Sequence, residues 1–354
     1  MIKMSYIKNP IIKEDIDKII SSIDDWNYFS GKSILVTGAN GFIPSYMIYS
    51  LCVLNDRILK EPMRITALVR NQKKAETKFQ NLLNRSDLKL IVSDVSDAKI
   101  NEPVDIIIHA ASQASPKYYG KDPVGTLKAN SIGTLNMLEQ GIQQNISKFL
   151  YVSSGEVYGV LDESIPIITE EYTGNVDITD VRSCYAESKR MGENMCVCYS
   201  HQFNIHTNMI RLSHTYGPGI SLDDGRVFAD FAKCAVNNEN IVLNSDGSAK
   251  RSFLYISDMI IAMFKILLDA PSCEAYNIAA EKETSILELA KIICDLYPEK
   301  ELEVEFKQNT DKNYIRSKST SAKLSNEKLK KLGWEQTITL SEGFKRMIDS
   351  YSYE

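Results

Sequence analysis

A disulfide or zinc-binding framework is missing from this chain. Its seven cysteines, Cys52, Cys184, Cys196, Cys198, Cys234, Cys273 and Cys294, include no CxxC pair and have no histidine nearby at zinc-finger spacing. Free thiols in a reducing compartment are the expectation, with no metal site. No run of lysine or arginine is long enough to form a nucleic-acid stripe, and 41 basic against 46 acidic residues leave a formal net charge of −5. That balance argues against nucleic acid as a partner. No apolar stretch reaches membrane-spanning length, and the opening MIKMSYIKNPIIKED puts charges where a signal peptide needs an apolar core. A soluble cytoplasmic protein with no membrane partner is expected. Internal repeats, low-complexity tracts and Pro/Ser-rich linkers are also absent, so any two lobes of these 354 residues should pack closely.

What is present begins with helical spacing. Ile12, Ile16, Ile19, Ile20 and Ile23 predict an amphipathic helix within residues 1–30, read as packing material. SILVTGANGFIPSYMIYSLCVLN then reads as buried strand, glycine turn and helix, the opening of a dinucleotide-binding unit. Apolar runs of strand length recur at ITALVR, LKLIVSD, VDIIIHAA and KFLYVSS, separated by helical or turn segments. Strand and helix in alternation predict an α/β fold, a Rossmann-type doubly wound parallel sheet. The division expected is a dinucleotide-binding domain over 31–180, to which later segments return, and a smaller interleaved α/β substrate lobe over 181–354.

The glycine turn, Thr37 to Pro44, lets Gly38 and Gly41 bring backbone N–H groups close to a pyrophosphate at a helix N-terminus, with Asn40, Phe42 and Ile43 beside them. A plain tight turn is the alternative. Pro44 stands where the usual fingerprint has its third glycine, which suits a first helical turn but changes the packing on the strand. After the second strand the chain reads LVRNQKK, with no carboxylate for ribose hydroxyls. Arg70, with Lys73 or Lys74, offers a partner for a 2′-phosphate instead, so NADP(H) is favoured over NAD; solvated surface charge is the competing reading. Asp94 and Val95 close the third strand and are assigned to the adenine edge. Ala110, Ala111 and Ser112 close the fourth, where small residues let a cofactor lie close, and His109 beside them reads as a packed core histidine.

Tyr185 and Lys189 lie four apart in YAESK on a predicted helix, so one ammonium stands near one phenol. A neighbouring cation favours phenolate and draws the phenol toward neutral working range. Ser154, ending the KFLYVSS strand, adds a hydroxyl for the reacting oxygen.

These stretches carry a resemblance. TGANGFIP, HAASQASP, SSGEVYG, YAESK, HTYGPG and KRSFLYISD together resemble the extended short-chain dehydrogenase/reductases of nucleotide-sugar metabolism, the NAD-dependent epimerase/dehydratase family, from about Ser33 to the C-terminal helices. ASQASPKYYGKDPVGTLKANSIGTLNML and RSCYAESKRMGENMC look most like UDP-glucuronate decarboxylases, and the wider group includes dTDP-glucose 4,6-dehydratases, 4-epimerases and 4-ketoreductases. The resemblance implies Ser154, Tyr185 and Lys189 as the catalytic triad, with Lys189 also holding the nicotinamide ribose. It implies Arg251 and Arg316 as clamps on a nucleotide diphosphate and a turn at Tyr216, Gly217 and Pro218 beside the sugar. His214 replaces the Asn usual at its position. It also implies a homodimer formed by helices around Asn130–Gln140 and Tyr185–Ser200.

The similar dehydratases carry Asp then Glu after the catalytic hydroxyl residue, an acid and a base for 4,6-dehydration. The decarboxylases carry Ser and Glu there, with an arginine aligned to Arg251. This chain has Gly155 and Glu156. Glycine donates no proton, and with Arg70 it points to net NADPH-dependent reduction of a nucleotide-linked 4-keto-6-deoxyhexose, as in O-antigen sugar synthesis. The alternative is a UDP-glucuronate decarboxylase-like or 4,6-dehydratase/4-epimerase-like enzyme that recycles NAD; a second is a non-catalytic NADP-binding protein.

Overall fold

The computed structural model describes residues 7–115, 119–162, 164–307 and 323–353. Helix α1, Pro10–Ser21, starts where the Asn9 side chain accepts the free N–H groups of Ile11 and Ile12 and where proline suits the first helical position. It is shorter than the isoleucine spacing suggested. The Ser22 hydroxyl donates back to the Lys18 carbonyl at the helix end, and Ile23 lies beyond it.

Strand β1 (Ser33–Thr37) runs into α2 (Phe42–Arg57), and β2 (Arg64–Val69), α3 (Gln72–Phe79) and β3 (Leu88–Val92) follow. After β4 (Ile106–His109), a short helix, Pro123–Leu127, passes through a π turn at Lys128–Ile132 into α4 (Gly133–Gln144). Then come β5 (Lys148–Ser154), α5 (Cys184–Phe203), β6 (Thr207–Leu212) and β7 (His214–Tyr216). Helix α6 (Val227–Asn237), β8 (Lys250–Tyr255), α7 (Ile256–Asp269), β9 (Glu274–Ile278), β10 (Glu283–Ser285), α8 (Ile286–Asp295) and α9 (Leu340–Ser350) complete the labelled elements.

Seven strands form one all-parallel sheet in the order β9-β6-β5-β4-β1-β2-β3. The chain therefore starts in the middle and winds outward both ways, which leaves a crevice at the carboxyl ends of β1 and β4. β6 and β9 come from the second half of the chain. A smaller sheet, β10-β8-β7, sits beyond β6, with β8 parallel to β7 and antiparallel to β10. Helices cover both faces of the large sheet, and its strands are apolar nearly throughout, as burial on two faces requires.

Helix α1 does more than fill space. Asp15, 1% exposed, accepts hydrogen bonds from the Tyr46 hydroxyl on α2 (3.2 Å), the Tyr255 hydroxyl on β8 (2.9 Å) and the Arg346 guanidinium on α9 (2.8 Å). One carboxylate thus joins the N-terminal helix, the helix after the glycine turn, and β8 and α9 from the second half of the chain. Burial pushes its acid up to about 6 against the pull of Arg346. The folded protein consequently holds this proton more tightly than the unfolded chain, so the stabilisation from protonation is full below about pH 4 and is lost as pH rises through 6. Asp15→Asn should remove that slope: the wild-type minus variant unfolding free energy, from urea melts, should fall by about 2–3 kcal/mol between pH 4 and pH 7. A difference that stays flat with pH would refute it.

Candidate active site

The glycine turn is built for close approach. Gly38 has φ +64°, and a Cβ there would stand 2.8 Å from the Ala111 backbone, so β1 and the end of β4 can meet only without a side chain. Thr37 closes the same corner: its hydroxyl oxygen accepts the N–H groups of Ala110 (3.1 Å) and Ala111 (3.0 Å) and lies 2.8 Å from His109 Nδ1. His109 Nε2 reaches the Thr134 hydroxyl at 3.0 Å, so the imidazole is a satisfied core group; burial, then Lys189, push it down to about 3.

Whether these residues suit a dinucleotide can be judged from what they leave open. Helix α2 begins at Gly41 with no side chain capping its N–H groups. Asn40, Gly41, Phe42 and Ile43 are all partly exposed along that turn. Pro44 falls within the first helical turn, where no N–H is needed, and is buried there. The Ser112 hydroxyl is buried with no hydrogen-bond partner among the described residues. Free N–H groups at a helix start and an orphaned hydroxyl beside them fit a pyrophosphate and its ribose.

Arg70 and the adenine-side pair look different from their sequence reading. Arg70, exposed, faces the Asp94 carboxylate at 3.9 Å, so the guanidinium assigned to a 2′-phosphate already has an anion beside it. Asp94 accepts the Ser96 N–H at 2.9 Å, which makes it a turn residue. Val95 is buried against Gly133 at the π turn.

Ser154 ends β5, and its side chain accepts the Glu156 N–H at 3.2 Å. The same hydroxyl hydrogen-bonds the Tyr185 phenol from the first turn of α5. Strand end and helix start are thereby brought together, as the spacing of KFLYVSS and YAESK anticipated. The ionisation of that phenol is not as anticipated. Burial and then Glu156 push it well up, with Ser154 and Arg226 pulling the other way. Lys189 does not reach the hydroxyl: its ammonium donates to the Val152 carbonyl at 2.7 Å and sits 4.9 Å from the Tyr151 ring centre and 5.9 Å from that of Tyr185. A buried amine with one carbonyl partner is costly to charge, and burial lowers Lys189 to about 7.

Glu156 is surrounded by cations and yet held above the usual carboxylate range, because burial outweighs Arg182 and Arg251. Gly155 beside it is closely packed: a Cβ would lie 3.3 Å from Leu324 and 3.5 Å from the Leu212 carbonyl, so a side chain there would need Leu324 to shift slightly. Arg251 enters from β8, whose register pairs it with Thr284. His214 lies on β7 opposite Phe253, and burial, Arg251 and Arg226 push it down to about 3, which keeps it neutral. Tyr216, expected in a turn beside the sugar, ends β7 with its ring in the core. It is 1% exposed and stacks on Phe344 with ring centres 4.2 Å apart, part of the core that seats α9. Arg316 lies outside the described residues. No group of three His, Cys, Asp or Glu side chains able to hold a metal ion occurs among the described residues, and no described helix is long and apolar enough to cross a membrane.

Three contributors escaped the sequence reading. Tyr119 stacks on Tyr185 at 4.9 Å and 18°, roofing the phenol. Asn130, fully buried in the π turn, donates to the Ser188 hydroxyl at 3.0 Å while its own amide oxygen has no partner among the described residues. Arg182, just before α5, adds charge beside Glu156. The aromatic pair YYG and the RS before CYAESK were the only signals available for Tyr119 and Arg182.

Comparison with known proteins places this geometry. The chain is 33% identical over 324 residues to UDP-glucuronic acid decarboxylase 6 of Arabidopsis thaliana, covering 91% of this chain and 89% of that protein. It is 32% identical over 326 residues to UDP-glucuronic acid decarboxylase 1 of Danio rerio, covering 91% and 73%. Among solved structures, UDP-glucuronic acid 4-epimerase from Bacillus cereus in complex with NAD superposes with TM-score 0.75 at 22% identity, covering 91% and 100%. The dTDP-glucose 4,6-dehydratase from Bacillus anthracis does so with TM-score 0.75 at 20% identity, covering 91% and 96%. At that identity the two structures speak to the fold alone, a shared Rossmann-like parallel sheet flanked by helices. The model of the NAD dependent epimerase/dehydratase family matches residues 34–279, from the first strand through β9. The chain belongs to the NAD-dependent epimerase/dehydratase family.

Proposed function

We propose that this protein decarboxylates a nucleotide-linked uronic acid, UDP-glucuronate in the first instance, with NAD retained and recycled. The observation that carries the proposal is the placement of Arg251: its charge acts on Glu156 and His214 inside the cleft, where a sugar carboxylate needs a cation. The similarity to UDP-glucuronic acid decarboxylases over nine tenths of the chain supports it. Net 4-ketoreduction with NADPH, the reading drawn from Arg70 and Gly155, loses half its basis once Arg70 stands beside Asp94.

When bound, NAD takes a hydride from a sugar carbon and later returns it. Gly38, Gly41, the start of α2 and Ser112 are the residues to hold it. Tyr185 takes the proton of the sugar C4 hydroxyl, Ser154 hydrogen-bonds the same oxygen, and Lys189 supplies positive charge beneath the phenol. A ketone at C4 is β to the carboxylate, so the C5–C6 bond can break with its electron pair passing into the C4 carbonyl as an enolate, and Arg251 positions the carboxylate for loss as carbon dioxide. Glu156, whose acid form is favoured by burial, returns a proton to C5. Gly155 supplies no hydroxyl where similar decarboxylases carry serine, so the proton relay falls to Glu156 alone.

The test is to incubate purified protein with UDP-glucuronate and no added reductant. Carbon dioxide and UDP-pentose are expected; consumption of NADPH with a 4-ketohexose nucleotide in their place defeats the proposal. The protein is further proposed to be a homodimer. Leu127, Ile132 and Leu135 around the start of α4, and Met191 and Val197 on α5, are exposed apolar side chains on adjacent helices. Light scattering should give twice the 39.9 kDa chain mass.

A further inference from the structure

Behind the candidate site lies a buried charge that the proposed chemistry leaves unused. Glu193 is 8% exposed and sits one helical turn beyond Lys189 on α5, on the same face. Its carboxylate accepts the Ser153 hydroxyl at 2.5 Å and two guanidinium nitrogens of Arg211, Nε at 3.1 Å and an NH2 group at 2.8 Å. Arg211, on β6, also donates to the Tyr158 hydroxyl at 2.9 Å and the Glu170 carbonyl at 2.8 Å. Tyr158 donates in turn to Asn277 Oδ1 on β9 at 2.7 Å. One carboxylate therefore ties the helix that carries Tyr185 and Lys189 to the residue before Ser154 and, through Arg211, to the turn that holds Glu156.

Lys189 has little else to keep it charged. The groups facing it are Tyr185, Glu193 and Cys196 on its own helix, Tyr151 and the Val152 carbonyl on β5, and His109 on β4. His109 is neutral, and the Cys196 thiol, pushed well up by burial, is neutral too. Among these, Glu193 is the group that carries negative charge. Arg211, on β6, pairs with that carboxylate through Nε and an NH2 group.

We propose that Glu193 is a positioning residue, which fixes α5 against β5 through Ser153 and against β6 through Arg211 and keeps Lys189 in its ammonium form beneath Tyr185. This rests on the acid–base roles given to Tyr185 and Lys189 above. A buried ion pair can also be structural only, since pairs of this kind tie elements together whatever chemistry lies nearby. The two roles separate by pH.

Glu193→Gln keeps an acceptor for Ser153 and Arg211 and removes the charge. If Glu193 holds the ammonium, the limb on which activity falls with rising pH moves to lower pH by about one unit, giving kcat/KM about tenfold lower above that limb. NAD affinity measured by fluorescence quenching should show the same displacement, a readout independent of which sugar is turned over. Glu193→Asp should restore part of the shift. Should the single variant not fold, E193Q/R211Q leaves a neutral amide pair with no uncompensated guanidinium, and the displaced limb is still expected. A uniform loss at every pH, or a double variant whose pH profile returns to wild type, overturns the proposal. If UDP-glucuronate is not turned over at all while the NAD affinity profile moves as stated, the decarboxylase reading fails and the role of Glu193 stands.

Discussion

Tyr185→Phe is expected to lower turnover about a thousandfold while NAD still binds within a few-fold of the wild type. The size follows from what one positioned acid–base group contributes, about a hundredfold to ten-thousandfold. The variant should be well tolerated by the fold, since the ring keeps its stack on Tyr119 and its buried position, and only the hydroxyl contact to Ser154 is lost. The phenol is an unusual base in this setting. Burial and Glu156 both hold its proton on, so ionisation depends on Ser154, on Arg226, and on the substrate oxygen that shares the proton. A loss confined to kcat, measured as UDP-pentose formed and as the transient nicotinamide absorbance, is the signature of a group acting in the transition state. Turnover unchanged in Y185F would remove the chemical assignment of the whole cleft.

The fold was legible because burial on two faces writes itself into composition. ITALVR, VDIIIHAA and KFLYVSS are apolar without alternation, and each became a strand within two residues of its expected bounds. Gly38 was legible for a related reason, because few residues but glycine accept φ +64° beside another backbone. Side chains that act across the sheet were not. Asp15 sits in the middle of an isoleucine pattern and looks solvated, yet its partners Tyr46, Tyr255 and Arg346 arrive from three distant segments. Glu193 and Arg211 are eighteen positions apart and meet only once α5 lies against β5 and β6. The position of Lys189 was misjudged in the same way. Helical spacing puts the amine on the face of the phenol, but the Val152 carbonyl, which no spacing reveals, is where the ammonium binds. Tyr216 was misplaced because a turn motif says where the backbone bends and nothing of which way its aromatic ring packs.

Arg251→Met should separate recognition of the carboxylate from recognition of the nucleotide. Methionine retains most of the arginine stem and leaves the backbone pairing of β8 with Thr284 and Phe253 with His214 undisturbed. A guanidinium facing a carboxylate in a water-poor cleft is worth far more than one at the surface, and loss of one such donor lowers rates about a hundredfold to a thousandfold. That loss is expected in kcat/KM for UDP-glucuronate, while the affinity for UDP-xylose, which has no carboxylate, changes by less than about threefold. Arg251→Lys should recover only part, because a point charge does not reproduce the planar fork. Removal of Arg251 also takes away one of the two cations that draw Glu156 down, so the limb that reports Glu156 ionisation should move to higher pH. Equal losses with the acidic and the neutral sugar nucleotide would mean that Arg251 reads the diphosphate, and the uronic acid would then have no identified partner in the cleft.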